Sequence, residues 1–138
     1  MREILFRGFS EDCTKENEIV YDNKRTIGEW VEGSLEIDTT SNEYFIHGVD
    51  KNGESFVYDV IPETVGQYIR VKDKNGNKIF EGDIVKAYII SSEIITKEVT
   101  YREDLAAFVV GGYPLSKITA LRKVGNIYDN PELLEVEK

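Results

Sequence analysis

The sequence predicts an all-β protein: a small SH3-like barrel or a pair of intertwined, sandwich-like β units, with at most one or two short helical turns. Three observations lead there. Short runs rich in Val, Ile, Tyr and Phe alternate apolar and polar residues, the two-residue period of a half-buried strand. Turn residues separate those runs at short, regular intervals. The tetrapeptide Asp-Lys-Asn-Gly stands twice, at 50–53 and 73–76, each time between such runs. Asn-Gly in that setting predicts a hairpin closed by a type I′ turn, with positive φ at both central residues.

Each element follows from its residues. Residues 3–7, ended by Gly8, read as a first strand. Residues 9–25 are polar, a connection with one apolar cluster at Ile19, Val20 and Tyr21. Residues 34–37 alternate, 38–42 form a turn cluster, and 44–47 and 56–61 make the first hairpin, ended by Pro62. Residues 65–71 and 79–90 make the second. Within it, Glu81-Gly82-Asp83 offers a positive-φ position where a strand bends or bulges. Ser91-Ser92-Glu93 breaks a β-branched run in two, and residues 94–101 alternate cleanly. After a turn at 102–104, residues 106–110 form an apolar strand ended by Gly111 and Gly112. Residues 114–121 read as one short helix or as an irregular connection, and 123–128 as the last strand. Asn130 before Pro131 fits an N-cap with Pro at the first helical position, so one helical turn follows. The flanks of the two Asp-Lys-Asn-Gly copies do not match, so convergence on good turn residues explains them more economically than duplication.

Composition sets the class. A chain of 138 residues forms one domain, 1–138, with 1–70 and 71–138 as sub-units if it holds two β units. No window approaches the ~18 apolar residues of a membrane span. The N-terminus lacks the apolar core of a signal peptide, and the single Cys13 rules out an internal disulfide framework. A cytoplasmic protein is expected. The net charge of −9 is unevenly spread: residues 1–70 carry seven Lys/Arg against fifteen Asp/Glu, and residues 71–138 carry ten against eleven. The first half would therefore repel phosphate backbones at long range.

Little in the chain suggests catalysis. His47 is the only histidine and has no Cys or carboxylate cluster at metal-ligand spacing, which also argues against a Ser-His-Asp or Cys-His arrangement. Cys13 lies among Glu11, Asp12 and Glu16, whose charge disfavours a thiolate. Glu81 and Asp83 could pair on a divalent cation, but a turn in which Asp83 bonds its own loop backbone is the better reading. Gly28, Gly33, Gly111 and Gly112 do not form a phosphate cradle. The expectation is therefore no enzyme, no catalytic residue, no cofactor and no metal. Arg70, Lys72, Lys74, Lys78 and Lys86 cluster around the second hairpin among strand aromatics, a pattern that suits nucleic-acid contact. Charged edge strands packed on an aromatic core are the better account of them.

Four segments carry a resemblance: 2–7, 64–76 (Thr-Val-Gly-Gln-Tyr-Ile-Arg-Val-Lys-Asp-Lys-Asn-Gly), 79–85 (Ile-Phe-Glu-Gly-Asp-Ile-Val) and 124–134 (Val-Gly-Asn-Ile-Tyr-Asp-Asn-Pro-Glu-Leu-Leu). In that order they resemble the YopX-like proteins of phages and prophages of Gram-positive bacteria, a family with no established biochemical role. The resemblance implies a phage or prophage protein that is oligomeric, and it brings no catalytic motif. This chain departs from the pattern at Gly8-Phe9, where a Trp-bearing turn is common, and at Ile69-Arg70, where Thr-Gly is common.

The functional expectation is a non-enzymatic homo-oligomer that acts by binding a host or phage protein, since Tyr-rich strands and an acidic half suit protein interfaces. One alternative is a nucleic-acid-binding barrel using the basic hairpin at 70–86. The other is an acidic DNA mimic using Glu11, Asp12, Glu16 and Glu18.

Overall fold

A computed structural model of the protein describes residues 3–11 and 28–134. The chain is all-β and divides into two compact units, Glu3–Gln67 and Tyr68–Lys138.

The first unit contains β1 (Phe6–Ser10), β2 (Glu29–Asp38), β3 (Glu43–Val49) and β4 (Ser55–Val60), antiparallel in the order β4-β3-β2-β1. Gly66 and Gln67, the start of β5 (Gly66–Lys72), pair with Arg7 and Phe6 on the free side of β1. The period-2 pattern places one face inside: Val31, Ile46 and Val60 are buried, packed by Phe6, Leu35, Tyr44, Phe56, Tyr58 and Val65. Gly8 and Gly33 permit close approach. A Cβ on Gly8 would press into the Val60 side chain, and one on Gly33 would overlap the His47 carbonyl. β1 therefore continues through Gly8 to Ser10, further than the sequence suggests. The sheet curls until the Ile61 N–H donates to the Phe9 carbonyl (2.9 Å) and the Phe9 N–H to Thr64 Oγ1 (2.9 Å). No strand ladder joins β1 to β4, and the expected SH3-like barrel does not close.

The second unit takes the rest of β5, paired with β6 (Lys78–Phe80), and a five-stranded antiparallel sheet. That sheet holds β7 (Asp83–Ile89), β8 (Ile94–Arg102), β9 (Ala107–Val110), β10 (Tyr113–Pro114) and β11 (Ile118–Asn126), in the order β10-β9-β8-β7-β11. Its core is Ile69, Ile79, Val85, Ala87, Ile89, Ile95, Val99, Val110 and Leu121. This sheet also stays open. β10 ends after two residues at Pro114, which has no N–H to offer a further strand.

Several local expectations change. Both Asp-Lys-Asn-Gly turns take positive φ at glycine (Gly53 +81°, Gly76 +84°) but not at asparagine, so neither is type I′. The Asp carboxylate accepts from the N–H two residues on (Asn52 2.8 Å, Asn75 2.9 Å), and the glycine N–H donates to the Asp carbonyl (3.0 Å in each). This builds a type I turn followed by a left-handed glycine, the three-residue hairpin loop. Residues 114–121 are neither one helix nor a loop: a 3-10 turn at Leu115–Lys117 leads directly into β11. Asn130 does not cap the next turn with its side chain; its Oδ1 instead accepts the Asn126 N–H (3.3 Å). The described residues hold three 3-10 turns, at Pro62–Thr64, Leu115–Lys117 and Pro131–Leu134, one more than expected. Among those residues no helix is long and apolar enough to cross a membrane. Cys13, the cluster at Ile19, Val20 and Tyr21, and the acids Asp12, Glu16 and Glu18 lie outside the described residues.

Candidate functional site

The residues best suited to chemistry are held in structural roles. Asp83 is fully buried, and its Oδ2 accepts from the Phe80 N–H (2.8 Å) and from Lys123 Nζ (3.2 Å). It bonds its own loop backbone, as expected, with Gly82 at φ +89° beside it. Asp73 is also buried. Burial alone would raise its carboxyl, but N–H donors from Lys123 (3.0 Å), Asn77 (backbone 2.9 Å, side chain 3.1 Å) and Asn75 outweigh it and hold the pKa at about 2. Lys123 therefore ties both aspartates to β11, one through its backbone and one through its ammonium. His47 lies at the surface with Nε2 2.5 Å from Glu36 Oε1. Among the described residues no three His, Cys, Asp or Glu are placed to hold a metal ion.

The five predicted cations part company. Lys72 and Lys78 sit directly opposite each other on the β5–β6 hairpin, with Lys78 Nζ 5.8 Å from the Tyr68 ring centroid. Arg70 is exposed at φ +65°, in a bulge that interrupts the same pairing. Lys74 and Lys86 go elsewhere. On β7, Lys86 lies between Arg122 of β11 and Thr96 of β8, and Tyr88, two residues on, shares that face beside Ala120 and Ile94. Lys74 reaches this face, its Nζ 4.9 Å from the Tyr88 ring centroid. The sheet thus gathers Lys74, Lys86 and Arg122 around Tyr88. Like charges directly opposite, as at Lys86 and Arg122, are destabilising in an isolated sheet. Glu98 lies on the same face two residues beyond Thr96, and burial raises its pKa. Arg122 escaped the sequence reading because its place depends on the register of β11, which carries two irregularities.

The first unit presents the opposite character. β2, β3 and β4 contain neither Lys nor Arg. Their outward face is fixed by two cross-strand rows, Ser34–His47–Val57 and Glu36–Phe45–Asp59. Glu32 extends this face along β2, where Arg7 of β1 stands opposite it, and Asp38 stands opposite Glu43 at the other end. On this face Phe45 and Val49 stand on either side of His47, with Val57 opposite His47.

A family model described as YopX protein matches residues 5–135, nearly the whole chain. The chain belongs to the YopX family. Three of the four quoted segments fall within the YopX match, and the first straddles its start. No curated protein matches the chain. YopX membership is consistent with a phage-type protein. The structure also gives meaning to one departure from the YopX pattern: Arg70, where glycine is common, holds a left-handed backbone.

Proposed function

We propose that this YopX-family chain is a non-enzymatic phage or prophage accessory protein that works in the host cytoplasm as a homo-oligomer, through protein–protein contact. The observation that carries this is the outward face of the first unit. Phe45 and Val49 lie there on either side of His47, with Val57 opposite His47, among carboxylates, and Val49 and Val57 are exposed. Exposed apolar side chains set among charged and polar ones are the ordinary makeup of a protein interface. The non-enzymatic reading is supported by the engagement of Asp73 and Asp83 with backbone N–H groups and of His47 with Glu36.

One specific observation favours a second reading, nucleic-acid binding. Two like-charged cross-strand pairs, Lys72–Lys78 and Lys86–Arg122, mark the second unit. Affinity capture from an extract of infected host, compared with and without nuclease, separates the two. Tagged chain that recovers untagged copies of itself in both halves supports protein contact. Recovery that depends on intact nucleic acid contradicts it and favours the basic residues.

A further inference from the structure

We propose that the oligomer is built head to tail: the outward face of the first unit in one copy seats on the Tyr88 face of the second unit in the next. The proposal rests on the homo-oligomer reading and names its interface.

The two faces match in shape of chemistry. One has Phe45, Val49 (66 % exposed) and Val57 (54 % exposed) set around His47, with Glu36 and Asp59 at either end of the row through Phe45. The other has Tyr88 directly opposite Ile94 (54 % exposed), flanked by Lys74, Lys86 and Arg122, with one carboxylate, Glu98, further along β8. Contact between the two faces removes the exposed Val49, Val57 and Ile94 from water. Carboxylates against cations offset the repulsion that Lys86 and Arg122 exert on each other within one copy.

Other occupants fit less well. A two-fold contact of either face with its own copy would set carboxylate against carboxylate, or cation against cation, which costs affinity. Nucleic acid would match only the basic face and would be repelled by the acidic half, which carries eight more acids than bases. A second copy satisfies both faces at once. Such a contact is heterologous, so every subunit uses both faces and the assembly closes into a ring if the rotation permits.

The test uses charge reversal in the full chain, read as mass by light scattering at low salt, with circular dichroism to verify folding. Lys86→Glu with Arg122→Glu should shift half-assembly to roughly tenfold higher protein concentration or more, because attraction becomes repulsion across the contact. Glu36→Lys with Asp59→Lys should do the same. All four changes together should restore assembly, since both faces are inverted. Val57→Gln, a change at an exposed position that leaves the charges alone, should also weaken assembly. Four results would overturn the proposal. Wild-type assembly insensitive to both reversals refutes this interface and leaves the homo-oligomer reading standing. A monomeric wild type removes both. Failure of the four-fold variant to reassemble, though folded, shows that the faces do not pair. Binding of a labelled single-stranded oligonucleotide that is lost in the Lys86/Arg122 variant, while mass is unchanged, assigns the basic face to nucleic acid instead.

Discussion

Arg70 shows how a single backbone angle departs from what its residue type prefers. Between Tyr68 and Lys72, β5 takes four steps while β6 takes two from Phe80 to Lys78, and the slack is absorbed with Arg70 at φ +65°. An L-residue there crowds its Cβ against the neighbouring carbonyl and costs roughly 1–2 kcal/mol, a cost glycine escapes. Arg70→Gly is therefore expected to stabilise the fold by about 1 kcal/mol, seen as a higher denaturant midpoint. An unchanged or lower midpoint would mean that the guanidinium contributes more than the backbone loses. Asp83 presents the reverse case, a residue whose loss leaves partners stranded. Asp83→Ala strips the acceptor from the buried Phe80 N–H and from Lys123 Nζ, and should cost about 3 kcal/mol. Adding Lys123→Met should recover part of that loss, because the uncompensated cation is then gone. If the double variant is as unstable as the single, the ion pair is not the cause.

At the scale of elements, the two Asp-Lys-Asn-Gly hairpins share one turn and differ in what the aspartate reaches. Asp50 accepts only within its loop, from Asn52 (2.8 Å) and Glu54 (3.0 Å). Asp73 accepts as well from Asn77 Nδ2 and from the Lys123 N–H of β11, fifty residues away. Asp50→Ala should cost about 1 kcal/mol, and Asp73→Ala clearly more, in thermal or denaturant unfolding. The pH dependence follows. With its folded pKa near 2 against a reference of 3.8, Asp73 stabilises the fold fully above the reference value, and that contribution is lost as pH falls toward about 2. Acid unfolding in this window should flatten in Asp73→Asn; an unaltered acid limb would place the acid sensitivity on other groups.

The hairpins were legible because their turn chemistry is local: four residues hold the signal. Their turn type was not, because the aspartate side chain, rather than the Asn-Gly pair, sets the asparagine conformation. β11 was legible only from residue 123. Its first half, with Ile118 opposite Ile89 and Ala120 opposite Tyr88, is held by a partner strand some thirty positions earlier. No local pattern reports such a pairing. The candidate site divides along the same line: Lys74 and Lys86 stood out by composition, whereas Arg122 joined them only through register.

For the molecule as a whole, the uneven charge visible in the sequence resolves into two faces of opposite sign. Three neighbouring strands, β2 to β4, lack any Lys or Arg. Across β7 and β11, Lys86 faces Arg122, and Lys74 approaches from the hairpin turn. In the proposed head-to-tail contact, each face would meet its complement on another copy. An interface with charge at its rim is weakened by salt, since the Debye length falls from about 10 Å at 0.1 M to about 3 Å at 1 M. The most direct measurement is the solution mass of the purified full chain by light scattering across that salt range. A mass well above the 15.8 kDa of one chain at low salt, falling as salt rises, is the predicted result. A mass of 15.8 kDa at every salt and protein concentration would contradict the account.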